Sequence, residues 1–244
     1  MRHKVMVGIV FVAALTTVAP VMTITNGQPD GNRHPYVGLA IQFIPNTNLI
    51  AICSGSALSE TRFLTAAHCF DPSLPVLVTY KNTPPYSLAN DFTQGTFYPS
   101  DSSDVAVIAL DEPSDPGAFA ALPTAGLVDA LPMMTEVDVV GYGVQGFIRG
   151  GGQPGQLSLL TRYFAPSQLI QSNDVISGQF LKLTANPSKG KGGICFGDSG
   201  GPDILSGTNI ILGINSFVAN SNCSGVTYSQ RIDLPEVLAF INSI

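Results

Sequence analysis

The sequence is poor in charge, contains no tryptophan, and has only three histidines and four cysteines. Charged residues make up 11% of the 244 residues, against roughly 25% in an average globular protein. The formal net charge is −6, and no basic stripe is present. Binding to nucleic acid or to an anionic membrane is therefore not expected. Hydrophobic residues reach 45%, which is enough for a sizeable core.

Only one apolar run has the length of a targeting segment, and it lies at the N-terminus. Arg2 and Lys4 precede a mostly apolar stretch over residues 5–18, which is typical of a secretory signal peptide. The stretch is shorter than the ~20 residues of a spanning helix, and no basic stop-transfer segment follows it. We expect residues 1–23 to be a signal peptide, with or without a short propeptide, and the mature chain to be extracellular. A buried N-terminal helix or an uncleaved anchor is the alternative.

The cysteines are few and even in number, and all follow the leader: Cys53, Cys69, Cys195 and Cys223. Behind a secretory signal this pattern favours two disulfides, although counting alone allows three pairings. A zinc site is the alternative, but the chain has no Cys-x-x-Cys and no histidine at ligand spacing. We expect no metal and no cofactor.

The chain also lacks long helical patterns, because 25 glycines and 18 prolines are scattered through it. This composition predicts many short strands, and the residue pattern predicts one amphipathic helix at 234–244, where Pro235 is well suited to the first helical turn. Residues 79–103 are expected to form loops between weak strands, and 143–156 an exposed glycine-rich loop. Residues 111–133 are a candidate connector between two halves. Strands are predicted at 37–41, 63–66, 104–110, 136–141, 157–164, 179–183, 210–217 and 226–232.

A candidate nucleophile lies in a glycine-rich turn. Ser199 sits in the run Gly-Asp-Ser-Gly-Gly-Pro of residues 197–202. The glycines expose the hydroxyl and allow the N–H groups of Gly197 and Ser199 to converge on one point, as an oxyanion hole requires. A plain glycine turn would give the same local pattern.

A serine hydroxyl needs a general base at neutral pH, and histidine is the usual one. His3 leaves with the leader, and His34, next to a proline, is expected in a surface loop. His68 follows an apolar strand and precedes Cys69, so a disulfide would hold its ring rigidly. A purely structural histidine is the alternative.

A carboxylate is needed to orient the histidine and to stabilise its imidazolium form. Asp104 opens the apolar run of residues 104–110, so it should be partly buried. A solvated acid at a strand end is the alternative interpretation. Asp91 and Asp101 are rivals, but neither leads into such a strand.

The order His68, Asp104, Ser199 separates classes of hydrolase. The α/β-hydrolases place their histidine after the serine, and no histidine follows Ser199. The subtilisin order requires an Asp before the base, and Asp30, in a polar turn-like run, is the only Asp that precedes His34 and His68.

The chain resembles the chymotrypsin/trypsin family of serine peptidases. The resemblance rests on the stretches 24–27, 64–69, 104–110 and 195–202, which are spread over nearly the whole mature chain. It implies an all-β fold of two six-stranded antiparallel β-barrels with a C-terminal α-helix. The peptidase domain would span 24–244, with barrels at about 24–120 and about 121–233.

The resemblance also implies how the site is braced and switched on. It implies the disulfides Cys53–Cys69 and Cys195–Cys223. It further implies a zymogen in which a cut before Ile24 frees an ammonium group that pairs with buried Asp198.

Several residues depart from the family pattern. Thr25 and Asn26 follow Ile24 where Val and Gly are common, and Tyr142 stands where tryptophan is usual. Residues 5–32 contain no Lys or Arg, so a trypsin-like activating cut is not expected. Direct cleavage by signal peptidase is the alternative route, and the release of Ile24 stays open.

By resemblance the substrate pocket has Gly193 at its base, Ser216, Phe217 and Val218 along one side, and Gly225 opposite. No acid stands at the base, so a preference for Lys or Arg is not expected. Val218 would narrow the pocket, which predicts cleavage after small or medium apolar residues.

The predicted function is that of a secreted serine endopeptidase (a hydrolase), acting as a monomer on protein or peptide substrates and open to protein inhibitors. A catalytically silent binding protein on the same fold is the main alternative, and a structural or adhesive secreted protein is a weaker one. The complete set His68, Asp104 and Ser199 favours the enzyme, because silent relatives usually lack one member.

Overall fold

The computed structural model describes residues 24, 26–143, 160–171, 178–219, 223 and 225–244, which fold mainly into antiparallel strands. A two-residue strand β1 (Gln28–Pro29) opens the chain. The next six strands close into a barrel in the order β2-β3-β4-β7-β6-β5. They are β2 (Val37–Phe43), β3 (Ile50–Ala57), β4 (Arg62–Thr65), β5 (Val76–Thr79), β6 (Thr93–Pro99) and β7 (Ala106–Leu110).

A second barrel follows a connector at residues 111–135. Its strands pair in the order β8-β9-β10-β13-β12-β11, and β8 also pairs with β9, which closes the ring. Strand β1 adds to β9 outside this ring. The predicted fold of two six-stranded antiparallel barrels is therefore confirmed. The strands are β8 (Glu136–Gly141), β9 (Tyr163–Gln171), β10 (Phe180–Ala185), β11 (Pro202–Leu205), β12 (Ile211–Val218) and β13 (Gly225–Arg231).

Two helices accompany the barrels. The connector holds a single turn, α1 (Leu127–Ala130), and the chain closes with α2 (Pro235–Ser243). Val237 and Ile241 of α2 are buried, as their helical spacing predicts. The expected C-terminal helix is confirmed. No helix among the described residues is long and apolar enough to cross a membrane.

The weak region at 79–103 contains a full strand that the sequence did not predict. Strand β6 pairs with both β5 and β7 and buries Phe97. Glycine and proline give this segment a low intrinsic strand propensity, and pairing on both sides overrides it. The predicted strand at 104–110 begins two residues later than expected, at Ala106, which leaves Asp104 just before it.

Hydrophobic clusters fill each barrel, and one of them spans the junction between the barrels. Both disulfides implied by the resemblance are present, Cys53–Cys69 with 6.1 Å between Cα atoms and Cys195–Cys223 with 5.2 Å. The first ties β3 to the turn after β4.

Polar groups are also buried at this junction. Arg162 is 1% exposed; its Nε donates to Asp30 Oδ2 at 2.8 Å and its Nη1 to the Val37 carbonyl at 2.8 Å. His34 is 5% exposed, with Nδ1 2.5 Å from Asp30 Oδ1. The prediction that His34 lies in a surface loop is wrong, because the buried Asp30 draws it inward. The leader at 1–23 and the loop residues 144–156 lie outside the described residues.

Candidate active site

His68 is held at the end of a strand by a disulfide. Strand β4 ends at Thr65, and a single 3-10 turn (Ala67–Cys69) carries the imidazole. Cys69 is bonded to Cys53 of β3, which limits movement of this turn. The His68 side chain is 45% exposed, so the ring is accessible from solvent.

Asp104 orients His68 through two kinds of contact. Nδ1 of His68 lies 2.9 Å from both carboxylate oxygens, and the His68 backbone N–H donates to Oδ1 at 3.1 Å. The hydrogen bond to Asp104 raises the pKa of His68, although partial burial opposes the shift. Nδ1 therefore carries a proton in this pair, which leaves Nε2 as the basic nitrogen.

Asp104 is in turn fixed by the second barrel. The Ser216 hydroxyl donates to Oδ2, and the Asp104 N–H donates to Gln230 Oε1 at 3.2 Å. Burial works against ionisation, but the hydrogen bonds from His68 and Ser216 outweigh it and hold the pKa of Asp104 below its ordinary value. The two other candidate acids do not take this role: Asp91 pairs with Lys81, and Asp101 is exposed to solvent.

Ser199 faces the same cavity as His68. The cavity has a volume of about 410 Å³. Its lining consists of His68, Ile194, Cys195, Phe196, Ser199, Ser216, Phe217 and Val218. The structure thus brings the candidate nucleophile and the candidate base together, although 131 residues separate them in sequence.

The turn around Ser199 leaves two amides available. Among the described residues, the N–H groups of Gly197 and Ser199 donate no hydrogen bond. Gly200 has a φ of +80°, and a Cβ there would lie 2.1 Å from Thr65 Oγ1 and 2.4 Å from the Ser54 carbonyl oxygen. Only glycine fits that position, so the turn packs directly on the first barrel.

Asp198 points away from the cavity into the protein. It is fully buried, and the amides of Gly143 and Cys195 each donate to its carboxylate at 2.8 Å. Within the described residues it has no cationic partner. Burial raises the pKa of Asp198 to about 7, against the opposing effect of the two amides. Ile24 is also fully buried and belongs to the same hydrophobic cluster as Ile194.

The five expected pocket residues separate into two groups. Ser216, Phe217 and Val218 line the cavity, whereas Gly193 and Gly225 are not part of its described lining. Gly193 is buried, and a Cβ on it would lie 2.3 Å from Ala185 Cβ and 2.9 Å from Thr227 Cγ2. Gly225 is exposed at the start of β13.

Two contributions to the site were missed by sequence reasoning. Phe196 is 54% exposed and lies on the cavity, directly after Cys195. An aromatic residue beside the nucleophile turn was a signal that could have been used. The hydrogen bond from Ser216 to Asp104 joins residues 112 positions apart, and no local pattern indicates it. The described residues contain no group of three His, Cys, Asp or Glu able to hold a metal ion.

Comparison with known proteins places this geometry in a family. A model of the Trypsin family matches residues 27–241. Collagenase from Hypoderma lineatum is 25% identical over 185 residues, covering 70% of this chain and 67% of that protein. Brachyurin from Leptuca pugilator is 31% identical over 184 residues, covering 70% of this chain and 77% of that protein.

Solved structures show the same fold at lower identity. A structure of HL collagenase superimposes with a TM-score of 0.68 at 18% identity, covering 91% of this chain and 96% of that one. A structure of human heparin binding protein superimposes with a TM-score of 0.63 at 20% identity, covering 91% of this chain and 96% of that one. A structure of a scabies mite inactivated protease paralogue superimposes with a TM-score of 0.66 at 18% identity, covering 89% of this chain and 97% of that one.

Proposed function

The chain belongs to the trypsin family of serine proteases, and on this premise we propose that it is a secreted endopeptidase acting through Ser199, His68 and Asp104. The observation that carries the proposal is the pairing of His68 Nδ1 with Asp104 at 2.9 Å, in a cavity that His68 shares with Ser199. The substrates would be proteins or peptides, and a monomer would suffice because every residue invoked comes from one chain.

The chemistry follows the family's general mechanism. Ser199 Oγ attacks the carbonyl carbon of the peptide bond while its proton passes to His68 Nε2. The negative charge that develops on the carbonyl oxygen is received by the free amides of Gly197 and Ser199. His68 then protonates the leaving amine, and an ester of Ser199 remains. Water, deprotonated by His68, releases the acid and restores the hydroxyl.

We propose that activity is switched on by a cut before Ile24. Asp198 is buried without a cation among the described residues, and burial raises its pKa to about 7. A free ammonium on Ile24 would supply the missing positive charge and favour the ionised carboxylate. Ile24 is buried in the hydrophobic cluster of the second barrel, together with Ile194.

The cavity supports a preference for small or medium apolar side chains before the cut bond. Ile194, Phe217 and Val218 give it apolar walls, and its described lining contains no acid that would select Lys or Arg.

A fluorophosphonate probe tests the central proposal, because it reacts with an activated serine. Secreted protein should be labelled at Ser199, and His68→Ala should abolish labelling while the chain stays folded. His34→Ala is the matched control and should leave labelling intact in folded protein. Folded wild-type chain with a free Ile24 amine that takes no label would instead support the silent binding protein.

A further inference from the structure

Ser54 of β3 joins the first barrel to the turn that carries Ser199. It is 0% exposed, and its N–H, carbonyl and hydroxyl groups all form hydrogen bonds. Its backbone N–H donates to the Ser199 carbonyl at 2.8 Å, and its hydroxyl donates to the Gly197 carbonyl at 3.0 Å. The same hydroxyl accepts from the Tyr142 N–H at 2.9 Å.

The direction of these bonds is fixed by chemistry. A backbone amide can only donate, so the Tyr142 N–H occupies a lone pair of Ser54 Oγ. The single hydroxyl proton is then free to go to the Gly197 carbonyl, which can only accept. The Ser54 carbonyl is also held, since it accepts from Thr65 Oγ1 at 2.8 Å. Ser54 is therefore a rigid anchor and not a rotating hydroxyl.

The two carbonyls held by Ser54 belong to the same two residues, Gly197 and Ser199, whose N–H groups donate no hydrogen bond within the part of the chain that the structure describes. Because a peptide group is planar, fixing the Gly197 and Ser199 carbonyls fixes the peptide planes of residues 197–198 and 199–200. Each of these planes shares a Cα atom with the peptide group that carries the Gly197 N–H or the Ser199 N–H. Gly197 itself has a φ of +92°, which glycine adopts without steric cost.

We infer that Ser54 is a positioning residue that holds the amides of Gly197 and Ser199 in the arrangement that binds the oxyanion. The inference rests on the proposed function, because it concerns the same reaction. Ser54 is not in the described lining of the cavity, so it acts through the turn and not on the substrate. Its effect should appear in the chemical step and not in substrate binding.

The test compares Ser54→Ala with Ser56→Ala in the secreted, processed protein. Ser56 lies on the same strand, is 1% exposed, and its hydroxyl has no partner among the described residues, which makes it a matched control. The quantities to compare are kcat and KM, with active sites counted by burst titration, and the pH profile of kcat/KM. Ser54→Ala should lower kcat by about 10- to 100-fold, since misplaced donors lose part of the effect of a removed one. KM should stay within about twofold, and the acid limb of the profile, which reports His68, should not move.

A second pair of variants covers the case in which Ser54→Ala does not fold. Ser54→Thr and Ser54→Val have the same shape, and only the threonine keeps the hydroxyl. A kcat for Ser54→Val at least about fivefold below that of Ser54→Thr supports the inference. Equal kcat values for the two, or equal losses in Ser54→Ala and Ser56→Ala, overturn it. Wild-type protein that neither turns over peptides nor takes a fluorophosphonate label defeats the proposed function itself, so the two failures are distinct.

Discussion

Both carboxylate oxygens of Asp104 lie 2.9 Å from Nδ1 of His68. The pair joins the turn after β4 to the segment before β7, within the first barrel. Ser216 of the second barrel donates its hydroxyl to the same carboxylate, at Oδ2. The orientation of His68, the proposed base, therefore depends on how the two barrels dock.

Asp104→Asn should abolish most activity and leave the fold intact. An amide beside Nδ1 allows the wrong imidazole tautomer, and loss of the charge removes the stabilisation of the imidazolium. We expect kcat to fall by about 10³- to 10⁴-fold at neutral pH. Steady-state kinetics on a peptide substrate measure this, with Asp91→Asn as control, because Asp91 pairs with Lys81 outside the site. A fall of less than tenfold would contradict the role given to Asp104.

The pH profile should show a raised acid limb. The base works only when His68 is neutral, and the Asp104 hydrogen bond raises the pKa of His68 above its ordinary 6.5. Activity should therefore fall as pH drops through a value above 6.5. In Asp104→Asn the limb of the residual activity should move to lower pH. Measuring kcat/KM from pH 5 to 9 tests this, and a limb that stays in place in the variant would argue against His68 as the titrating group.

Much of the candidate site could be proposed from the sequence, because its residues lie in short local patterns. The glycines around Ser199, the strand before His68 and the apolar run after Asp104 are all visible in the sequence. The role of Ser54 was not, because its partners Gly197 and Tyr142 are 143 and 88 residues away. Contacts of that range are set by the docking of the barrels and not by local propensity.

The same reasoning explains two errors at the level of the fold. His34 was misplaced on the surface because its partner Asp30 is buried by Arg162, which is 132 residues from Asp30. Strand β6 was missed because its stability comes from pairing with two neighbours, while its sequence contains glycine and proline. In both cases the deciding partner lay outside any local window.

Asp198 should make the stability of the unprocessed chain depend on pH. Its folded pKa is raised from 3.8 to about 7, so this contribution to stability is present below pH 3.8 and is lost as pH rises through about 7. The melting temperature of the wild type, measured relative to Asp198→Asn, should therefore decrease between about pH 4 and pH 8. Burial also raises the pKa of Asp203, but Asp203 is present in both proteins, so its effect cancels in the difference between their melting temperatures.

Freeing the Ile24 amine should reverse that trend. The ammonium would favour the ionised carboxylate and lower the pKa of Asp198, so the loss of stability between about pH 4 and pH 8 should disappear in processed protein. Calorimetry on processed and unprocessed samples of the same batch makes the comparison. Identical pH dependence in the two samples would exclude an Ile24–Asp198 pair.

Val218→Gly should broaden the choice of residue before the cut bond. Val218 lines the cavity together with Ile194 and Phe217, and removing its branched side chain opens one wall. Wild type should favour small and medium apolar residues in a peptide library, and the variant should gain Phe and Tyr. A gain of about 10-fold in kcat/KM for these is reasonable, because apolar pocket contacts discriminate by about 1–3 kcal/mol. Leu88→Ala is the control, since Leu88 is exposed and outside the lining. A wild-type library dominated by Arg or Lys, or an unchanged profile in the variant, would show that this cavity does not receive the side chain.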